Sequence, residues 1–345
     1  MARVMESRFS TIVKWAGGIT ALMTLATGLY KITESLYERR ERQRQVAELL
    51  QVAENQQSRN AFSEAWESLE AARKLQADKE KIDRAQEDLA MAWLENVRLK
   101  EGQSFTQIVA KIEPILDRGL QRGEPRRKGD LQAHLGWATF LRYREGGPGT
   151  PPAPLYQKAL QIDPQNVYAH AMLGHWILWT TRDLPAAKMH FEAAVASGRV
   201  EPYVRKLQLA ALANVRMPEA EIEMIRVADE MRKKNQPIDS ADKMRLWDAY
   251  ASLLRNTGDD STEKALRAIP PEEQLSTFQW LFNGEALEED RRLHRDYWLG
   301  ILQEASGRRA EAVQTLNAVS AKLTGRPGAL RNRTEAALKR LADRR

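Results

Sequence analysis

Cysteine is absent from this 345-residue chain. That removes disulfide staples, thiolate metal sites and a cysteine nucleophile together, though it assigns no compartment, because a large helical array needs no cross-link on either side of a membrane. Backbone breakers are scarce: with 19 Gly and 14 Pro, long stretches are left free to run as helix. Alternating runs of β-branched residues are missing too, so a sheet has little support. No glycine-rich phosphate loop occurs, since Gly146-Gly147-Pro148-Gly149 lacks the Lys-Ser/Thr that would reach phosphates. No nucleophile elbow surrounds any serine, and the acid pairs Glu272-Glu273 and Glu288-Glu289 follow helix starts, where carboxylates complement the helix dipole. The sequence predicts an all-α protein that is not an enzyme, with no catalytic residue and no cofactor.

What is present begins with an apolar run. From Ile12 to Ile32 the chain is nearly all apolar or small. As a helix at about 1.5 Å per residue it would span roughly 31 Å, the thickness of a bilayer core. Lys14 and Lys31 lie at its ends, where long stems reach the headgroups, and Trp15 and Tyr30 sit where interfacial aromatics belong. Arg3 and Arg8 could instead open a cleaved signal peptide. Against that reading, no clean Ala-x-Ala site follows, and helix-forming sequence continues through Ser35-Leu36-Tyr37-Glu38. The expectation is a short tail over 1–11, a retained single-pass transmembrane helix over 12–32 and a charged helical stalk over 33–58. Lys31, Arg39, Arg40, Arg42 and Arg44 outnumber Arg3 and Arg8, which places the large domain on the cytoplasmic side of a cell (inner or plasma) membrane, with export as the alternative. Within the span, Ala16, Thr20, Thr24 and Gly28 recur every four residues and form a smooth face for close helix association, hence for a homo-oligomer.

Beyond the stalk, whose Val46, Leu49, Leu50 and Ala53 share one side, a helical repeat domain is expected over 59–325. Phe62, Ala65, Leu69 and Ala72 begin a pattern of helices punctuated at Ala77-Asp78, Gly102, Gly123-Pro125, Pro164, Asp183, Gly198, Pro218, Pro237, Gly258, Pro270-Pro271, Gly284, Gly307 and Gly325-Pro327. Three windows carry a shared grammar. Over 131–164, Leu135-Gly136 is followed, after the loop Gly146–Pro154, by Tyr156 and Ala159. Over 165–198, Leu173-Gly174 leads to Ala187, Phe191 and Ala194. Over 288–323, Leu299-Gly300 leads to Ala312, Leu316 and Val319. These windows resemble the tetratricopeptide repeat family, whose unit of about 34 residues is two antiparallel helices. The resemblance implies an α-solenoid, a right-handed superhelix of helix pairs with a concave wall of first helices. Residues 326–345 read as a basic capping helix. They hold Arg326, Arg331, Arg333, Lys339, Arg340, Arg344 and Arg345 against Glu335 and Asp343, which leaves the rest of a chain of net charge +6 almost neutral. This tail has no aromatic residue to stack on bases, so nucleic acid is not an expected partner.

Four histidines, His134, His170, His175 and His190, lie between Leu131 and Phe191. His170 and His175 are five apart and point in different directions on one helix, so no metal site is expected. The resemblance puts Tyr168, Ala171, His175 and Trp179 on the inner wall around Gly174, and the same offset from Gly136 adds Ala133, Trp137 and Phe140. Aromatics there would hold an extended or helical peptide by apolar contact. The expected function is a membrane-anchored scaffold or adaptor that binds a protein or peptide partner and touches lipid through its N-terminal helix. The alternative is a fixed structural or assembly subunit of a larger membrane complex, using the anchor and the convex face. An enzyme assembled from residues distant in sequence is the third possibility.

Overall fold

The computed structural model describes residues 35–99, 101–146, 150–255, 264 and 266–343. The expected span over 12–32, with Ala16, Thr20, Thr24 and Gly28, lies outside the described residues, as does the expected break at Gly258. Among the described residues every regular element is a helix, and none is long and apolar enough to cross a membrane. The protein is all-α.

Two compact units divide at Pro151 and Pro152. The first holds α1 (35–58), α2 (Phe62–Lys74), α3 (Lys79–Glu95), α4 (Phe105–Leu120) and α5 (Pro125–Arg144). The second holds α6 (Ala153–Ile162), α7 (Val167–Thr180), α8 (Leu184–Ala196), α9 (Glu201–Ala213), α10 (Pro218–Lys233), α11 (Ser240–Arg255), α12 (Pro271–Phe282), α13 (Glu289–Ala305), α14 (Arg309–Lys322) and α15 (Ala329–Asp343). The boundaries follow local chemistry. Pro125, Pro218 and Pro271 each open a helix, where the missing N–H costs no hydrogen bond. Ala153 likewise starts α6 with Pro154 in its first turn, so the helix begins inside the stretch that its prolines marked as loop. Asp183 caps α8 by accepting a 3.0 Å bond from the Ala186 N–H. The start of α4 is closed twice. Ser104 and Gln107 form a capping box, and the Glu145 carboxylate beyond α5 accepts from the N–H groups of Phe105 and Thr106 at 2.6 and 2.9 Å. Desolvation pushes the Glu145 carboxyl up, but those bonds outweigh it and hold its pKa below the usual range.

From α2 to α5, from α6 to α11 and from α12 to α15, each helix packs on its successor; α3 with α5, α7 with α9, and α9 with α11 also meet across an intervening helix. In the first unit the apolar side of α1 is a packed face: Val46 clusters with Ala72 and Ile82, and Leu49 and Leu50 rest against them. Beside that core, α3 buries two carboxylates, Asp83 and Glu87. Arg122 reaches Asp83 at 2.6 Å and Arg127 reaches Glu87 at 2.7 Å, tying α3 to the end of α4 and the start of α5. Buried acids of this kind are tolerated only with such partners.

In the second unit, glycine sets the spacing of two hairpins. A Cβ on Gly174 of α7 would lie 3.1 Å from both the Ala187 carbonyl oxygen and the Phe191 ring of α8, and Ala187, Phe191 and Ala194 are buried there. A Cβ on Gly300 of α13 would lie 2.7 Å from Leu316 Cγ on α14, whose Ala312, Leu316 and Val319 are buried. Farther along, Asp229 of α10 accepts from Thr277 of α12 at 3.0 Å, and from Arg232 and Lys233 of its own helix at 2.7 and 2.6 Å. Burial pushes this carboxyl up, yet Lys233, Arg232 and Thr277 together hold its pKa below the usual range. At the far end, α15 buries Thr334, Ala337 and Leu341, and Arg326, Arg331 and Arg340 of the basic tail pair with Glu289, Glu335 and Glu304.

Gly300→Ala gains helix propensity but forces a methyl onto Leu316. Urea denaturation should show a net loss of about 1–3 kcal/mol in the wild-type background and a smaller one in a Leu316→Ala background; an unchanged or raised stability would refute the crossing argument. Asp229→Asn should cost about 1–3 kcal/mol at neutral pH. Because the folded pKa is depressed, that contribution is complete above the unfolded value of about 3.9 and fades as pH falls through the folded one. The gap between wild type and variant should therefore close in acid, and a pH-independent gap would count against the clamp.

Candidate partner-binding surface

The seven residues expected on a groove wall divide between the units, Ala133, Trp137 and Phe140 on α5 and Tyr168, Ala171, His175 and Trp179 on α7, and six of them are buried. The reason lies in the two helices. Every residue of α5 from Gly129 to Leu141 is buried, and α7 has no charged side chain and buries most of its circumference. A helix without a polar face is a core helix.

On α5, the Trp137 indole N–H donates to the Leu94 carbonyl at 3.1 Å, and its ring stacks on Phe140 with centroids 4.8 Å apart. One edge of Trp137 still borders a cavity of about 410 Å3, together with Leu99, Phe105, Leu141 and Arg144. The Arg144 guanidinium sits 5.2 Å from the centre of the Phe105 ring, a favourable cation–π placement. On α7, Tyr168 packs against Tyr203 at 5.6 Å between centroids, with the Arg199 guanidinium at 5.9 Å. His175 lies nearly parallel to Trp179 at 6.4 Å. Trp179, 43% exposed, is the member of the set that offers its face to solvent.

A larger concave site lies in the first unit and was not anticipated. A cavity of about 640 Å3 opens between α1, α2 and α3. Leu50, Gln51, Glu54 and Gln57 line it from α1, Phe62 and Leu69 from α2, and Asp88, Leu89 and Ala92 from α3, with Asn96 capping that helix. The wall is mixed: apolar surface for contact, amides able to bond a peptide backbone, and two carboxylates. Glu54 is exposed, while Asp88 accepts from Arg127. Reading α1 as a charged stalk hid this wall. The available signal was the run Ala85, Leu89, Ala92 and Asn96, one face of α3 at helical spacing with small residues that leave room.

No protein-family model matches the chain, and no curated protein matches it significantly. The site must be read from its own chemistry. Among the described residues no three His, Asp or Glu side chains converge as metal ligands. His134 is buried, with Nδ1 2.7 Å from the Asp130 carbonyl of its own helix and Nε2 3.0 Å from Glu95 of α3, so both ring nitrogens are engaged within the fold. His170 and His190 meet across the α7–α8 hairpin. Burial first, and then the neighbouring His170, lower the His190 pKa.

Proposed function

We propose that the chain is a membrane-anchored scaffold or adaptor whose tetratricopeptide-like hairpins bind a protein or peptide partner. The observation that carries this reading is the open cavity between α1, α2 and α3. Its amides and carboxylates suit a peptide that brings backbone N–H groups and a cationic side chain, while Leu50, Phe62 and Leu69 supply apolar contact. Trp179 is the corresponding candidate contact in the second unit.

The family likeness is supported by the close crossings at Gly174 and Gly300, where the Leu-Gly pairs meet Ala187, Phe191 and Leu316 of the following helices. The apolar run over 12–32 supports the anchor, and the basic excess after it favours a cytoplasmic domain, with export as the reverse topology. The same run presents its small face to a second copy of the chain.

Purification of the full chain from detergent-solubilised membranes, followed by mass spectrometry, tests the proposal. Glu54→Arg should weaken partner recovery on the order of tenfold, equivalent to about 1.4 kcal/mol, with helicity and melting near wild type. Trp179→Ala should do the same if the second unit takes part. Recovery that survives both substitutions but fails when residues through Tyr30 are replaced by another span would instead identify a fixed subunit held by its anchor.

A further inference from the structure

The smaller cavity of the first unit differs in chemistry from the one between α1, α2 and α3. It measures about 410 Å3 and lies where the end of α3, residues 97–99, the start of α4 and the end of α5 converge. Leu99, Phe105, Trp137 and Leu141 belong to its apolar wall, and Glu95 and Arg144 are its charged members. Its lining includes no amide or hydroxyl side chain, and the Trp137 indole N–H is already given to the Leu94 carbonyl at 3.1 Å.

The two charges of this lining do not cancel. His134 Nδ1 lies 2.7 Å from the Asp130 carbonyl oxygen, which only accepts, so that nitrogen carries a proton. Nε2 stands 3.0 Å from the Glu95 carboxylate, a contact that needs a second proton between the two, and the Glu95–His134 pair is neutral as a whole. Glu145 feels the charge of Arg144 but turns its oxygens to Phe105 and Thr106 at the start of α4. Among the described residues no carboxylate pairs with Arg144, whose exposed guanidinium sits 5.2 Å from the centre of the Phe105 ring.

We propose that this cavity binds a small monocarboxylate with an apolar body, its head on Arg144 and its body against Leu99, Phe105 and Trp137. A guanidinium fork matches a carboxylate through two parallel bonds, and one cation balances a monoanion where a phosphate dianion would leave charge over. A peptide would bring backbone N–H and C=O groups that no amide or hydroxyl here can meet, whereas a hydrocarbon body has none to satisfy. Leu99, 40% exposed, is apolar surface that such a body would cover. The volume falls within the range of small-molecule sites, about 300–1,000 Å3.

The test is calorimetric titration of the purified full chain with hydrocinnamate, alongside hydrocinnamide, which has the same body without the charge. The acid should bind saturably with one equivalent, and the amide on the order of tenfold more weakly. Arg144→Gln should weaken the acid by a similar factor and bring it level with the amide, and Leu99→Glu, which sets an acid at the cavity, should weaken it too, with circular dichroism helical throughout. Arg98→Gln, an exposed neighbour outside the lining, should change nothing. Glu54→Arg should also leave acid binding intact, so this result stands apart from partner recovery through the larger cavity. No saturable binding of the acid, equal binding of acid and amide, full affinity in Arg144→Gln, or tighter binding of a peptide that ends in a free phenylalanine carboxylate would overturn the proposal.

Discussion

The distance of closest approach between paired helices is the constraint from which the rest of the second unit follows. At Gly174 and Gly300 there is no side chain, and the facing surfaces of α8 and α14 come within contact of bare backbone. Close approach buries Ala187, Phe191 and Ala194, and likewise Ala312, Leu316 and Val319. Hairpins closed this tightly leave their remaining apolar surface to be covered by the next helix, which is why α7 meets α9 and α9 meets α11.

Charge works beside this packing as a set of ties between successive elements. Asp83 is held by Arg122 just past α4 and Glu87 by Arg127 of α5, Asp229 by Thr277 of α12, and the start of α4 by Glu145. Each tie joins helices that are near neighbours in sequence. Removing one partner of a buried pair leaves an uncompensated charge, so these residues set the register of packing as much as its strength.

The helical pattern was legible because its punctuation is chemical: a proline at a helix start or a glycine after its end acts on the backbone alone, whatever packs around it. The buried faces of α8 and α14 were legible for a similar reason, since Ala-x3-Phe/Leu-x2/3-Ala/Val puts three residues on one stripe. The groove was not legible in that way. Whether Trp137, Tyr168 or His175 faces solvent depends on what covers α5 and α7, and both helices carry apolar residues all round. The His170–His190 pair escaped for a geometric reason, because spacing rules test side chains on one helix and this pair spans two. The wall formed by Glu54, Asp88 and Asn96 escaped because charged residues on an amphipathic helix read first as a solvated face.

The succession of contacts, each helix on its neighbours in sequence, has a kinetic corollary. Loops that must close before native contacts form are short, so ordering can start at any hairpin and spread outward at small entropic cost. A lesion in one hairpin should then fray its immediate surroundings and leave remote hairpins intact, giving unfolding in stages instead of a single collapse.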